Sequence, residues 1–297
     1  MTKKIKGIIA LSRWIEVYDF TLALTLISVI FAQGWAGTRL LAIALANFLA
    51  MTYAFMINDT EDAEEDAQDP KKKLRNPISN GSLTKKEGWL VSNITFLISL
   101  LIYAYVAYTT GLVNVFWAGL AALVISLLYS WRKVRLKAIP VIDVLTHMYM
   151  LSGSIFLTSY LAFSSNLSLA GWAALIAVMI VSGYGQLDNE IRDFETDVKT
   201  KIKTTATIMG KKPAIALQTV LIIIAGIGFL YIGTLLNDIS AFLLRFVISF
   251  FPIFLLNALT YFKTKEKKYK IWVHRSLVLA AAAASLWVLA DGIRMIK

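Results

Sequence analysis

Apolar stretches about 20 residues long, the length a helix needs to cross a bilayer, recur nine times along this chain. In lipid every backbone N–H and C=O must be satisfied within the protein, so such a chain folds as a bundle of helices. The first stretch runs from about Trp14 to Gln33 and the second from Leu40 to Ile57. Residues 89–131 carry no charge and are too long for one span; Thr109, Thr110 and Gly111 divide them into a hairpin. Residues 144–187 divide in the same way at Ser164, Ser165 and Asn166. The seventh stretch covers Ala214 to Leu235 and the eighth about Ser240 to Phe262, with Arg245 inside it. The ninth covers about Ser276 to Ile293. The first stretch is too long for the apolar region of a cleavable signal peptide. The expected fold is an all-α membrane protein of nine transmembrane helices, a single polytopic domain over residues 1–297.

A net charge of +11 raises nucleic acid as a partner, but the distribution of charge points elsewhere. All but four of the 30 Lys and Arg (Arg39, Arg245, Arg294 and Lys297) lie before or at the start of the first span, or after the second, fourth, sixth and eighth. Lys201, Lys265, Lys267 and Lys268 are among them. By the positive-inside rule the N-terminus is cytoplasmic and the C-terminus outside, in a protein integral to the cell membrane. The lipid bilayer is the partner this pattern requires, and no nucleic acid is needed to explain it. The absence of cysteine excludes disulfides and thiolate metal sites.

Two segments at the expected cytoplasmic rim read alike. Asn58, Asp62 and Asp66 stand at i, i+4 and i+8, and so do Asn189, Asp193 and Asp197. On a helix that spacing keeps an amide and two carboxylates on one face. Asp59, Glu61, Glu64 and Glu65 crowd the first set; Asp188, Glu190 and Glu195 crowd the second. Such clusters repel themselves unless cations intervene. Mg2+ takes hard oxygen ligands, often one or two carboxylates together with substrate phosphates. The plainer alternative is a pair of solvated acidic helix ends. The segments carrying the clusters, about residues 59–88 and 188–212, are the long ones and have room for short helices over a cavity.

Basic and hydroxyl residues accompany the clusters. Arg75 follows the first, ahead of Asn76-Pro77, and its guanidinium suits paired hydrogen bonds to phosphate. Tyr129 and Lys133 stand four apart at the cytoplasmic end of the fourth span, a spacing that places phenol and ammonium on one helix face; an interfacial Tyr beside a topogenic Lys is the ordinary alternative. Arg13, Glu16 and Asp19 stand at the mouth of the first span. His147 lies inside the fifth, where bonding across helices is its usual role, and Asp143 is placed to cap that helix.

Together these residues resemble the UbiA superfamily of intramembrane prenyltransferases. Asn58, Asp62 and Asp66 match its N-x-x-x-D-x-x-x-D motif, Asp193 and Asp197 its second D-x-x-x-D, and Tyr129 and Lys133 its Y-x-x-x-K. Pro140-Val141-Ile142-Asp143 also looks familial. The resemblance covers nearly the whole chain and implies a bundle of nine helices around a central cavity, with short cytoplasmic segments over it. It implies two Mg2+ ions held by Asn58, Asp62, Asp66, Asp193 and Asp197, binding an isoprenyl diphosphate. Tyr129 and Lys133 join them as catalytic candidates, with Arg13, Arg75, Asn189, Lys199 and Ser130 as substrate-binding ones. The implied reaction ionises the diphosphate, and a hydrophobic or aromatic acceptor traps the allylic cation. One departure is visible. Where many members follow the first motif with Arg-Pro, this chain has Arg75-Asn76-Pro77. An extra arginine pattern of haem O synthases is missing. Aromatic quinone precursors, glycerol-ether lipid phosphates and carotenoid ends stay open as acceptors. The alternative from another class is a secondary transporter using intramembrane carboxylates, whose sites lie near the midplane. The D-x-x-D-G-x-x-A-R signature of phospholipid-alcohol phosphotransferases is absent.

Overall fold

The computed structural model describes residues 2–200, 202–264, 269–292 and 294–297. Lys201, Lys265, Lys267, Lys268 and the expected end of the last span at Ile293 lie outside the described residues. The described chain is helical almost throughout. Helix α1 (Lys3–Ser12) is capped by the Thr2 side chain, and Arg13, at φ +46°, turns it into α2 (Trp14–Phe31). Then come α3 (Thr38–Glu61), two short helices α4 (Ala63–Asp66) and α5 (Pro70–Arg75), α6 (Lys85–Thr110) and α7 (Asn114–Ser130). A connector with a 3-10 turn at Leu136–Ala138 leads to α8 (Ile142–Met148). A π-helical turn, Tyr149–Gly153, joins α8 to α9 (Ser154–Leu161). The chain ends with α10 (Leu169–Thr200), α11 (Thr205–Met209), α12 (Lys211–Thr234), α13 (Ile239–Thr264) and α14 (Tyr269–Ala290).

Among the described residues, seven helical segments are long and apolar enough to cross a membrane, counting α1 and α2 as one. The stretches expected as the fourth and fifth spans are occupied differently. Helix α7 has 17 residues, and the run from Ile142 to Leu161 is helical but broken by the π turn. The long loop expected from Asp188 is also different. Helix α10 continues through it for 32 residues, about 48 Å at 1.5 Å per residue, well beyond a hydrocarbon core of about 30 Å.

Local chemistry explains the ends. Thr84 and Glu87 form a capping box at the start of α6, and Gly111 closes that helix at φ +71°. Asp69 accepts from the N–H groups of Lys71 and Lys72 at 2.7 and 3.1 Å, starting α5 with Pro70 in its first turn. Inside the bundle, buried Asn47 of α3 is saturated. Its amide donates to Thr25 Oγ1 (3.0 Å) and Ser159 Oγ (2.7 Å), while its oxygen accepts from Tyr103 (2.8 Å) and Thr158 (2.7 Å). One amide thereby joins α2, α6 and α9 to α3. The Tyr103 ring lies where a side chain at Gly119 of α7 would be, so only glycine permits that approach.

The bundle has two chemically distinct ends. At one, Asn114 donates to the carbonyl of Ser165, Arg245 pairs with Asp291 at 2.7 Å, and Asn237 meets the backbone near the C-terminus. The acidic segments gather at the other. His147 meets Ser182 Oγ at 3.3 Å across helices, as expected of an intramembrane imidazole.

Candidate active site

The first acidic motif forms where α3 ends. Asn58 is the last-turn residue, Asp62 is the joint between α3 and α4, and Asp66 closes α4. The i→i−4 bonds Asp62 N to Asn58 O (2.9 Å) and Asp66 N to Asp62 O (2.8 Å) carry the helical path through the break. The second motif lies on one uninterrupted helix, α10, where Asn189, Asp193 and Asp197 are successive residues of one face.

Protein cations close around the first motif. Lys137 Nζ donates to Asn58 Oδ1 at 2.9 Å and to Asp62 Oδ2. Arg135 stands 3.6 Å from Asp62 and grips Glu65 with both terminal nitrogens, at 2.8 and 2.5 Å. That guanidinium holds the Glu65 carboxyl below the usual carboxylate range. Arg132 bonds the Glu61 carbonyl at 3.0 Å and the Glu64 carboxylate at 2.6 Å, which lowers the Glu64 carboxyl likewise. Ser130 donates to Asn58 Oδ1 at 3.3 Å.

Asp59, one residue beyond Asn58, is fully buried. Its Oδ1 faces Arg13 at 3.5 Å and Arg75 at 3.7 Å, and its Oδ2 has no hydrogen-bond partner among the described residues. Arg75 also stands 4.0 Å from Asp66. Arg13 adopts the left-handed turn between α1 and α2, pairs with Glu16 and lies over the Phe55 ring at 4.5 Å. The extra residue in Arg75-Asn76-Pro77 has a structural function. Asn76 is buried and donates to Asp59 O (2.7 Å) and Asp66 Oδ2 (2.9 Å), pinning α4 against the end of α3.

Tyr129 relates the two arms. It lies within electrostatic reach of Asp62 of the first arm and of Glu190 and Asp143, and it shares a side-chain hydrogen bond with Gln186 of α10. Lys72 of α5 lies within electrostatic reach of Asp197. The second arm is otherwise more open. Asp193 is exposed, and so is Asn189, whose oxygen accepts from Arg192. Lys199 is exposed in the same region.

One expectation is corrected here. Lys133 does not share a helical face with Tyr129, because α7 stops at Ser130; its exposed ammonium lies over the Trp131 ring at 5.4 Å. Lys137, four residues on, is the ammonium that reaches the motif. Asp143 meets the first turn of its own helix, as expected, accepting from the Val144 N–H at 2.8 Å, and it also reaches beyond that helix. It is buried and accepts from the Thr205 N–H (2.8 Å) and hydroxyl, while Glu190 accepts from the Ala206 N–H at 3.0 Å. Asp59, Asn76 and Glu190 have roles here that the linear sequence does not announce. Burial was the missing signal, since all three are acidic or amide residues in segments that read as solvated.

The donor set suits a hard divalent cation: every candidate ligand is an oxygen, and Asp59 adds a buried carboxylate oxygen that accepts no hydrogen bond among the described residues. Among the described residues no three carboxylates or imidazoles converge on one point. Mg2+ does not require it, since phosphate and water complete its shell.

Comparison with known proteins gives the same picture. The model of the UbiA prenyltransferase family matches residues 21–289. A lycopene elongase/hydratase from Corynebacterium glutamicum is 28% identical over 177 residues, and the match spans only 58% of this chain and 58% of that protein. A UbiA homologue from Archaeoglobus fulgidus, bound to GPP and Mg2+, has the same fold with a TM-score of 0.70 at 20% identity, covering 95% of this chain and 99% of that one. Its complex with DMAPP and Mg2+ gives 0.69 at 20% identity, with the same coverage. With a family match over most of its length, this chain belongs to the UbiA prenyltransferase family.

Proposed function

We propose that the protein is a Mg2+-dependent intramembrane prenyltransferase that moves an isoprenyl chain from its diphosphate to a hydrophobic or aromatic acceptor. The observation that carries this reading is the meeting of Arg13, Arg75, Arg135 and Lys137 with Asn58, Asp59, Asp62 and Asp66. That mixture of opposite charges offers both ligands for metal and donors for phosphate oxygens. Complexes with GPP or DMAPP and Mg2+ in the Archaeoglobus fulgidus homologue support it.

In this reading Asn58, Asp62 and Asp66 of the first arm, with Asp193 and Asp197 of the second, would hold the metal. Bound Mg2+ supplies the charge neutralisation that makes diphosphate a good leaving group. The bond between the allylic carbon and the diphosphate oxygen breaks with both electrons leaving on oxygen. Arg75, Arg13 and Lys137 offset that developing charge. Tyr129, between the arms, offers a phenol to the departing oxygen. The acceptor's π electrons then form the new carbon–carbon bond to the allylic cation, and a proton is lost from the adduct. Apolar surroundings keep water from the cation. The active site faces the cytoplasm, the N-terminus is cytoplasmic and the C-terminus outside. Among the acceptors left open, the lycopene elongase/hydratase relative favours a carotenoid-type end. Transport is less well supported, since Asn58 and Asp62 lie at the end of α3 and not at its middle.

The test is incubation of the purified protein with labelled isoprenyl diphosphates of several lengths, Mg2+ and aromatic, glycerol-ether and polyene acceptors, with product masses read out. A product mass raised by one prenyl unit, dependent on Mg2+, supports the proposal. No product and no released diphosphate with any combination overturns it.

A further inference from the structure

We propose that Lys137 is a tethered counter-ion: its ammonium occupies the Asn58–Asp62 oxygen pair until a diphosphate draws it away, so that metal uptake is coupled to donor binding. This rests on the reading of Asn58 and Asp62 as metal ligands.

The first argument is coincidence of position. Lys137 Nζ binds Asn58 Oδ1 at 2.9 Å and Asp62 Oδ2, the same two oxygens assigned to metal. Both side chains are sheltered, at 15% and 16% exposure, so the pair is weakly screened. An ammonium and a divalent cation cannot share those oxygens, because their charges repel strongly at such separation.

The second argument is that the other acidic groups of the motif are similarly engaged. Arg75 and Arg13 attend Asp59, Arg75 and Asn76 attend Asp66, and Arg135 supports Lys137 at Asp62. With every carboxylate matched by a cation of the chain, added Mg2+ gains little net charge interaction. A diphosphate changes that balance. Its oxygens accept the ammonium that leaves Asp62, and the carboxylate is then free for metal. Linkage makes the effect reciprocal: metal strengthens diphosphate binding by the factor that diphosphate strengthens metal binding.

The third argument is freedom to move. Lys137 sits on the three-residue turn Leu136–Ala138, outside any long helix, and its four-carbon stem can swing the ammonium without moving the backbone. Arg135, held by Glu65 at 2.5 Å, has a second partner to stay with.

The experiment titrates Mn2+ into the full-length protein in nanodiscs, followed by paramagnetic resonance of free Mn2+, with and without a non-hydrolysable geranylgeranyl thiolodiphosphate. Without the thiolodiphosphate, K137Q is expected to bind Mn2+ about tenfold more tightly than wild type, which is about 1.4 kcal/mol. The thiolodiphosphate is expected to tighten Mn2+ binding in wild type, and about tenfold less in K137Q. K137R keeps the charge and should stay within about twofold of wild type. K137M serves as a second neutral variant should K137Q fold poorly, and a D62N/K137Q double variant should lose the gained affinity. Unchanged or weaker Mn2+ binding in both neutral variants overturns the inference and leaves the metal assignment standing. Failure of wild type to bind Mn2+ even with the thiolodiphosphate overturns the metal assignment itself.

Discussion

Thr205 donates both its backbone N–H, at 2.8 Å, and its hydroxyl to the buried carboxylate of Asp143, across 62 positions of sequence. The same hydroxyl accepts from the Val141 N–H at 2.6 Å, and the next residue, Ala206, donates to Glu190 at 3.0 Å. Helix α11 is therefore stitched to α8 on one side and to α10 on the other. Thr205→Val keeps the shape and removes the hydroxyl, leaving Asp143 and the Val141 N–H each short of a partner. A loss of about 1–3 kcal/mol of stability is expected, the usual consequence of an unpaired buried polar group. Thermal unfolding of the purified variant in nanodiscs measures it; a midpoint equal to wild type contradicts the stitching role.

Asp62 and Asp193 stand on different arms, one at the end of α3 and one on α10. If both serve metal, Asp62→Ala and Asp193→Ala should each lower Mg2+-dependent diphosphate release by at least about 100-fold while the unfolding midpoint stays near wild type. Asp193 is exposed, so its removal leaves no cavity. Phosphate release assayed after pyrophosphatase treatment reads the outcome. Full turnover in both variants rules out the metal role.

Tyr129 lies within electrostatic reach of both Asp62 and Glu190, and in the proposed reaction its phenol would meet the departing diphosphate. Tyr129→Phe keeps the ring and removes the hydroxyl. A hydrogen bond made only as charge develops lowers kcat and leaves donor affinity nearly intact. A roughly 10-fold to 100-fold fall in kcat is expected, with donor Kd within about threefold. Equal losses in both quantities would place Tyr129 in ground-state binding.

The helical architecture was legible because hydropathy reports span length and lipid forbids other backbone solutions. The two aspartate motifs were legible because helical spacing alone puts Asn189, Asp193 and Asp197 on one face. What failed did so at helix ends, where spacing loses its meaning. Tyr129 and Lys133 share a face only if α7 continues to Lys133, and it stops at Ser130. The turn that follows brings Lys137 to Asp62 instead, a contact between residues 75 apart in sequence. Asn76 looked like an interruption of a motif, and its burial against Asp59 and Asp66 depends on tertiary packing. Helix α10 ran past its expected end for the opposite reason: Asp188–Thr200 is polar enough to read as a loop, yet nothing in it breaks a helix.

Asn47 offers a test of what holds the bundle together in lipid, where burial from water does not drive helices into contact. Its amide makes four side-chain hydrogen bonds, to Thr25, Ser159, Tyr103 and Thr158. One of those partners has a fallback acceptor within its own helix: the Thr158 hydroxyl also reaches Ser154 O at 2.7 Å, whereas Ser159, which accepts from Asn47, already donates to Ile155 O at 2.6 Å. The Tyr103 hydroxyl and its neighbours bear the rest of the loss. Interhelical hydrogen bonds in membranes contribute about 0.6 kcal/mol each on average, so Asn47→Ala should cost about 2 kcal/mol. The unfolding midpoint should fall by several degrees, and metal binding at the distant acidic rim should be unchanged. Asn47→Asp, which keeps the acceptor oxygen and loses the amide donors, should be at least as harmful, since it buries a charge among hydroxyls. Thermal unfolding of both variants beside wild type distinguishes this hub from a passive packing residue, for which Asn47→Ala would cost less than about 0.5 kcal/mol.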